Sequence, residues 1–179
     1  MNIVFLDIDG VLQPYNADAR FYLGKDDCKK TLKKLSNRFP NINFSEYDIS
    51  DIIAVLYDWN EQAVSRLKYI LESTNSRIII SSDWRSERLP NKMHDLLEIH
   101  NLGNYWFKDN IIIRENLSIP KIRHLEIEDS LSKYPIDNFV VWDDMQELKK
   151  FYPDNAVITR DFMSINNMND CIKILKKTK

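Results

Sequence analysis

A chain of 179 residues suits one domain with room for a small insertion, and at that length roughly two thirds of the unfolded surface can be buried. Hydrophobic residues at 44% and charged residues at 29% exclude a disordered chain, and a net charge of −2 excludes a global basic field while leaving room for a local basic patch. No apolar run approaches the ~20 residues of a membrane span. The first apolar run is broken at once by Asp7 and Asp9 and has no basic residue ahead of it, so it does not read as a secretory signal. Cys28 and Cys171 form no metal pattern with His94, His100 or His124 and read as free thiols. The expectation is a soluble, cytoplasmic protein with no membrane association and no obligate protein partner.

In chain order, residues 3–8 (IVFLDI) are an apolar run ending at a carboxylate, which predicts a strand buried on both faces of a parallel sheet. Asp9-Gly10 turns the chain. Residues 14–56 are the least regular part, with Pro14, Gly24, a lysine-rich run from Lys25 to Lys34 and a polar stretch over 40–51. They predict a helix around 26–38, with Leu32 and Leu35 on one face, inside a small cap or flap; 1–179 is then a single domain. Asp58 as N-cap, with Glu61 in a capping box, predicts a helix over 59–73 whose buried face is Ala63, Val64, Leu67, Ile70 and Leu71. Residues 77–81 (RIIIS) are a second strand, 91–101 a helix ended by Gly103, and 111–113 a third strand. Pro120 opens a helix with Ile122, Leu125, Ile127 and Leu131 as apolar positions. Residues 138–142 (NFVVW) are a fourth strand, 145–151 a short helix, 156–159 (AVIT) a fifth strand and 168–177 the last helix.

Strands alternating with helices predict a parallel sheet covered on both faces, with ligands beyond the carboxyl ends of the strands. That rule brings Asp7 and Asp9, Ser81 and Ser82, and Asp143 and Asp144 to one edge. Carboxylates this close repel unless a cation sits among them, and Mg²⁺ takes hard oxygen ligands of this kind. A carboxylate can also attack phosphorus, a second can move a proton, a hydroxyl can hold a phosphoryl oxygen, and a cation can balance the charge that develops.

The string Ile3-Val-Phe-Leu-Asp7-Ile-Asp9-Gly10-Val-Leu12 resembles motif I of the haloacid dehalogenase (HAD) superfamily. Ile78-Ile-Ile-Ser81 is similar to its motif II and Val140-Val-Trp-Asp143-Asp144 to its motif IV. The motif III cation falls to Arg123 in a stretch reading R-H-L-E-I, with Lys121 as the alternative. More narrowly, Ser81-Ser82-Asp83-Trp84-Arg85 resembles the S-S-x-W-R string of the HAD domain in multidomain (Swiss-army-knife) RNA-repair proteins. The G-L-T string common in that subfamily is replaced here by residues around Met163-Ser164-Ile165-Asn166.

The resemblance implies a HAD-like Rossmannoid three-layer α/β/α fold with a parallel sheet and a small cap insertion after the first strand. It implies a Mg²⁺-dependent phosphomonoester hydrolase with Asp7 as nucleophile, Asp9 as general acid and base, and Ser81 and Arg123 on the phosphoryl oxygens. Asp7, Asp143 and the backbone carbonyl of Asp9 would hold the metal, with Asp144 acting through water or as an orienting residue. Ser82, Arg85, Lys121 and Gly10 are the substrate-binding expectations, and the substrate is a nucleotide or a phosphorylated nucleic-acid end. Arg85 could instead pair with Asp83 or Glu87. Trp84 reads as packing before base stacking, Tyr15 and Tyr22 as pocket-lining or packing, the histidines as having no catalytic role, and the lysine run as a solvated face. The rival reading is a catalytically silent phosphate-binding or protein-interaction module, against which the intact Asp7/Asp9 pair argues.

Overall fold

The computed structural model describes residues 1–85, 90–107 and 120–177; the side chains of Arg85, Pro90, Asn91, Pro120 and Lys121 lie outside that description. Among the described residues, four strands form one parallel sheet: β1 (Asn2–Leu6), β2 (Ser76–Ile80), β3 (Asn138–Asp143) and β4 (Ala156–Ile158), in the order β2-β1-β3-β4. β1 lies between two neighbours, which is why its residues Ile3 to Leu6 are all apolar and fully buried. The period of two divides the strands between two cores. Val4, Leu6, Ile78, Ile80, Val140 and Trp142 face one, and Ile3, Phe5, Ile79 and Val141 face the other.

Helices cover both faces. The first core receives α4 (Glu61–Thr74) through Leu67, Ile70 and Leu71, α5 (Pro90–Glu98) through Leu96 and Leu97, and α8 (Ile165–Leu175) through Cys171 and Leu175. The second receives α6 (Pro120–Lys133) through Ile127 and Leu131, and α7 (Leu148–Phe151) through Leu148. This is the expected three-layer α/β/α fold. After β1 the chain makes α1 (Ala19–Tyr22), α2 (Lys25–Arg38) and α3 (Ile49–Ile53), which widens into a π turn over Ala54–Asp58. Leu35, Phe44 and Ile52 from this segment join the first core, so it packs on the sheet domain.

Several local expectations are corrected. Asp58 does not cap α4. The π turn buries it under α1, where its carboxylate accepts from the Ala19 N–H at 2.7 Å and from Arg20 Nε at 3.0 Å. Asn60 caps α4 instead, accepting from the N–H groups of Gln62 and Ala63 at 3.0 Å each. The last helix starts at Ile165, because Ser164 and Asn167 form a reciprocal capping box with Asn in the place Glu or Gln usually takes. The helix expected over 145–151 is confined to α7, and α5 ends at Glu98, beyond which Asn101 takes a left-handed φ of 58°. Helix α6 buries Arg123, Glu126, Ile127 and Ser130, whereas Leu125 is 37% exposed, so its inner face is partly polar. The strand expected over 111–113 lies outside the described residues. Cys28 and Cys171 are free, and among the described residues no helix is long and apolar enough to cross a membrane.

Candidate active site

Sheet hydrogen bonding continues past the strand ends and sets the edge residues side by side. The Asp7 N–H donates to Trp142 O at 2.9 Å, the Ser81 N–H to Leu6 O at 2.8 Å, and the Thr159 N–H to Asp143 O at 3.0 Å. Beyond Asp7 the chain folds into a tight loop. The N–H groups of Val11, Leu12 and Gln13 donate to Ile8 O at 3.2, 2.9 and 3.0 Å, and the Gly10 N–H donates to Gln13 O at 2.7 Å. Gly10 has a φ of +69°, and a Cβ there would sit 2.7 Å from the Tyr15 hydroxyl and 3.0 Å from the Asp144 Cβ. The Thr159 hydroxyl donates to Gly10 O at 2.5 Å. Gly10 is therefore the hinge of the loop, and Thr159, read from the sequence only as the end of a strand, clamps it.

Asp7, Asp143 and Asp144 each bring a carboxylate oxygen within 4.8 Å of the others. Asp7 is 4% exposed and Asp143 fully buried. Arg123 reaches them from α6, itself 2% exposed. Its Nη1 lies 2.7 Å from Asp143 Oδ2 and 3.1 Å from Asp7 Oδ1, and its Nη2 lies 3.4 Å from Asp83 Oδ1. Asp143 Oδ1 also accepts from the Met145 N–H at 2.9 Å. Burial pushes the Asp7 carboxyl well above the usual range. Arg123 opposes that rise, Asp143 and Asp144 add to it, and a hydrogen bond from the Ser82 side chain opposes it. Burial likewise pushes Asp143 up to about 6 against the pull of Arg123. Burial works against the Arg123 charge, but Asp7, Asp143 and Asp83 outweigh it and raise its pKa.

Among the described residues, the three carboxylates of Asp7, Asp143 and Asp144 converge with one guanidinium beside them, an excess of negative charge, most of it in a dry setting where uncompensated charge is costly. A divalent cation fits this donor set: the oxygens are hard, converging and anionic.

Ser81 is 1% exposed, and its Oγ has no hydrogen-bond partner among the described residues. It is a buried hydroxyl at the edge with a donor to give. Ser82 Oγ accepts from the Trp84 N–H at 3.4 Å. The Asp9 carboxylate stands outside the group of three: its Oδ1 accepts from Gln13 Nε2 at 2.7 Å and its Oδ2 from the Trp84 indole N–H at 3.0 Å. Tyr15, 63% exposed, donates its hydroxyl to the Asp144 carboxylate, and burial together with that contact raises its phenol pKa. Tyr22 is 78% exposed. The histidines have partners elsewhere: His94 beside Asp95, His100 on Val55 O and His124 on the Tyr152 hydroxyl. The side chains of Arg85 and Lys121, both expected at the substrate, lie outside the described residues.

Gln13 and Trp84 were not singled out for Asp9 from the sequence. No spacing rule links residues 9 and 84, and the Trp59, Trp106 and Trp142 indoles are buried without an acceptor among the described residues, so an indole's need of one was not a signal.

A parallel sheet whose carboxyl edge gathers carboxylates, a serine hydroxyl and one buried arginine defines a HAD-like α/β domain. A family model described as the HAD domain in Swiss Army Knife RNA repair proteins matches residues 3–168, and the chain belongs to that family. No curated protein and no solved structure matches the chain. The family points to phosphatase-type chemistry, and the acidic group of Asp7, Asp143 and Asp144 is compatible with Mg²⁺.

Proposed function

We propose that the chain is a Mg²⁺-dependent phosphomonoesterase that forms an aspartyl-phosphate on Asp7. The observation that carries this reading is the buried Arg123 guanidinium bridging Asp7 and Asp143 beside Asp144. It holds the nucleophile in one place, and among the described residues the three carboxylates outnumber it in charge. In the first step an Asp7 oxygen bonds to phosphorus, the ester P–O bond breaks, and Asp9 gives its proton to the departing oxygen. In the second, Asp9 takes a proton from water, the water oxygen bonds to phosphorus, and the bond to Asp7 breaks. Ser81 and Ser82 donate to phosphoryl oxygens and Arg123 balances their charge. Asp7, Asp143, Asp144 and the backbone carbonyl of Asp9 would hold Mg²⁺, which when bound screens the nucleophile from the phosphate dianion. Arg85 and Lys121 are further substrate-binding residues in this reading, and residues 14–56 act as a small cap within a single domain over 1–179.

The substrate of this reading is a nucleotide or a phosphorylated nucleic-acid end. The family's RNA-repair description supports it, as does the segment that continues from Tyr15. Residues 19–38 carry seven cations against two carboxylates, in a chain whose remainder has eighteen against twenty-five. Phe21 and Tyr22 beside them are 76% and 78% exposed. Cations beside exposed aromatic rings suit a single strand, whose bases stack while its backbone is neutralised.

The test is phosphate release from p-nitrophenyl phosphate, mononucleotides, sugar phosphates and oligonucleotides phosphorylated at either end, with Mg²⁺ and with EDTA. Metal-dependent release, greatest for a nucleotide or oligonucleotide and abolished in Asp7→Asn, is the expected result. Release that survives in a folded Asp7→Asn protein overturns the mechanism. No release by a folded protein that still binds Mg²⁺ favours a silent phosphate-binding module.

A further inference from the structure

We infer that Trp84 and Gln13 form a positioning clamp that sets the Asp9 carboxyl toward the departing oxygen; the inference rests on the phosphatase reading above. The carboxylates at this edge have different partners. Asp7 and Asp143 are tied to a permanent cation, Arg123. Asp9 accepts from two uncharged N–H groups, the Gln13 amide on Oδ1 at 2.7 Å and the Trp84 indole on Oδ2 at 3.0 Å. A donor on each oxygen sets the plane of the carboxyl group, and a carboxyl oxygen can accept more than one hydrogen.

Both donors are themselves fixed. Gln13 is 5% exposed, and its backbone closes the loop through Ile8 O and the Gly10 N–H. Trp84 is also 5% exposed. Its ring packs against Trp59 with centroids 6.0 Å apart, and Trp59 in turn stacks on His100 at 5.5 Å and 11°. Its backbone N–H is on Ser82 Oγ, so one short turn ties the residue that contacts Asp7 to the one that orients Asp9. A buried indole fixed this firmly, with its N–H aimed at a carboxyl group at the reacting edge, does more than fill the core. Proton transfer needs heavy atoms within ordinary hydrogen-bond reach, and a carboxyl free to swing loses that geometry for most of its lifetime.

The test uses two esters of similar shape and different leaving-group demand. Benzyl phosphate releases an alkoxide and needs a proton; p-nitrophenyl phosphate releases a stable phenolate and hardly does. The readout is kcat/KM, which reports bond breaking at phosphorus and not hydrolysis of the intermediate. Trp84→Phe keeps the ring in the core and removes the N–H. It is expected to lower kcat/KM for benzyl phosphate by roughly 10- to 100-fold, the lower part of the range for general acid catalysis, and that for p-nitrophenyl phosphate by less than about 3-fold. Gln13→Met, close in length and without the donor, is expected to show the same asymmetry. It decides the matter by the same criterion where Trp84→Phe does not fold. Equal losses on both esters, or none, overturn the clamp and leave both residues structural. Where wild-type protein turns over neither ester, the same comparison is made between 3′- and 5′-phosphorylated oligonucleotides, whose leaving groups are alkoxides, and a nucleoside-linked p-nitrophenyl phosphate monoester; no release from any of them, or turnover that survives Asp7→Asn, removes the phosphatase reading and the clamp with it.

Discussion

The two ends of the sheet are built on opposite principles. At the amino end lies a groove of ≈ 870 Å³ lined by Asn2, Thr74, Arg77, Trp106 and Asp137. The polar groups of Asn2, Thr74 and Ser76 there are neutral and paired: Asn2 Nδ2 donates to Thr74 O at 2.9 Å and Leu175 O at 3.2 Å, and the Thr74 and Ser76 hydroxyls lie 2.6 Å apart, while the buried Trp106 indole N–H has no partner among the described residues. At the carboxyl end the buried groups are charged, with the carboxylates of Asp7 and Asp143 crowded on one guanidinium and Ser81 Oγ unpartnered among the described residues. Room alone does not identify a reacting site. Charge held against the cost of burial does, because a fold tolerates it only where something else stabilises the whole.

The largest expected difference between the ends is in turnover. Asp7→Asn should lower kcat on the order of 10³-fold or more, while Asn2→Ala leaves it within about twofold, since Asn2 touches nothing at the reacting edge. Steady-state kinetics on the two variants checks this, and a turnover defect in Asn2→Ala would erase the division.

Next in size is Arg123→Met. It leaves Asp7 and Asp143 buried without their cation, and breaking a buried pair in this way costs roughly 3–5 kcal/mol. Urea unfolding with EDTA present measures it, and an unchanged midpoint would mean the arginine compensates little.

The pH dependence of the metal-free protein sharpens the same point. Asp143 is pushed up to about 6 in the folded state, whereas in the unfolded chain it titrates near the usual ~3.9. Between those values the folded protein binds more protons than the unfolded one, so stability falls as pH rises from about 4 to 6, by roughly 2–3 kcal/mol. Asp143→Asn should flatten that part of the profile. Adding Mg²⁺ should restore the stability lost by pH 6 and above, because the ionised carboxylates then have a partner. Thermal melts across this range, with EDTA and with Mg²⁺, would show it.

The smallest effect belongs to the amino end. Asn2→Ala removes two side-chain hydrogen bonds to backbone carbonyls and should cost about 1–2 kcal/mol of stability.

Much of this arrangement was legible in the chain. The runs ahead of Asp7, Ser81 and Asp143 are apolar without alternation, which only a strand buried on both faces requires, and a polar residue closes each. Helix α4 was readable for the same reason, its apolar positions recurring at the helical period. Its cap was not: Asp58 and Asn60 are both good N-caps, and only the π turn that ends at Asp58 decides which one faces the helix. Ser164 escaped because its partner at the third helical position is Asn.

The edge chemistry divides in the same way. Sequence alone determined that carboxylates and a serine hydroxyl meet at the carboxyl ends of the strands, because burial dictates the strands and a parallel sheet points all their ends one way. It left two cations, Lys121 and Arg123, on one helix, and residues two apart point to different sides of it. Tertiary packing put the side carrying Arg123, Glu126, Ile127 and Ser130 inward and left Leu125 outside, which a reading by hydropathy reverses. Packing also turned the Trp84 N–H onto Asp9. A hydrogen bond between residues 75 apart leaves no periodic trace in a sequence, and depends on two loops being brought together by the sheet beneath them.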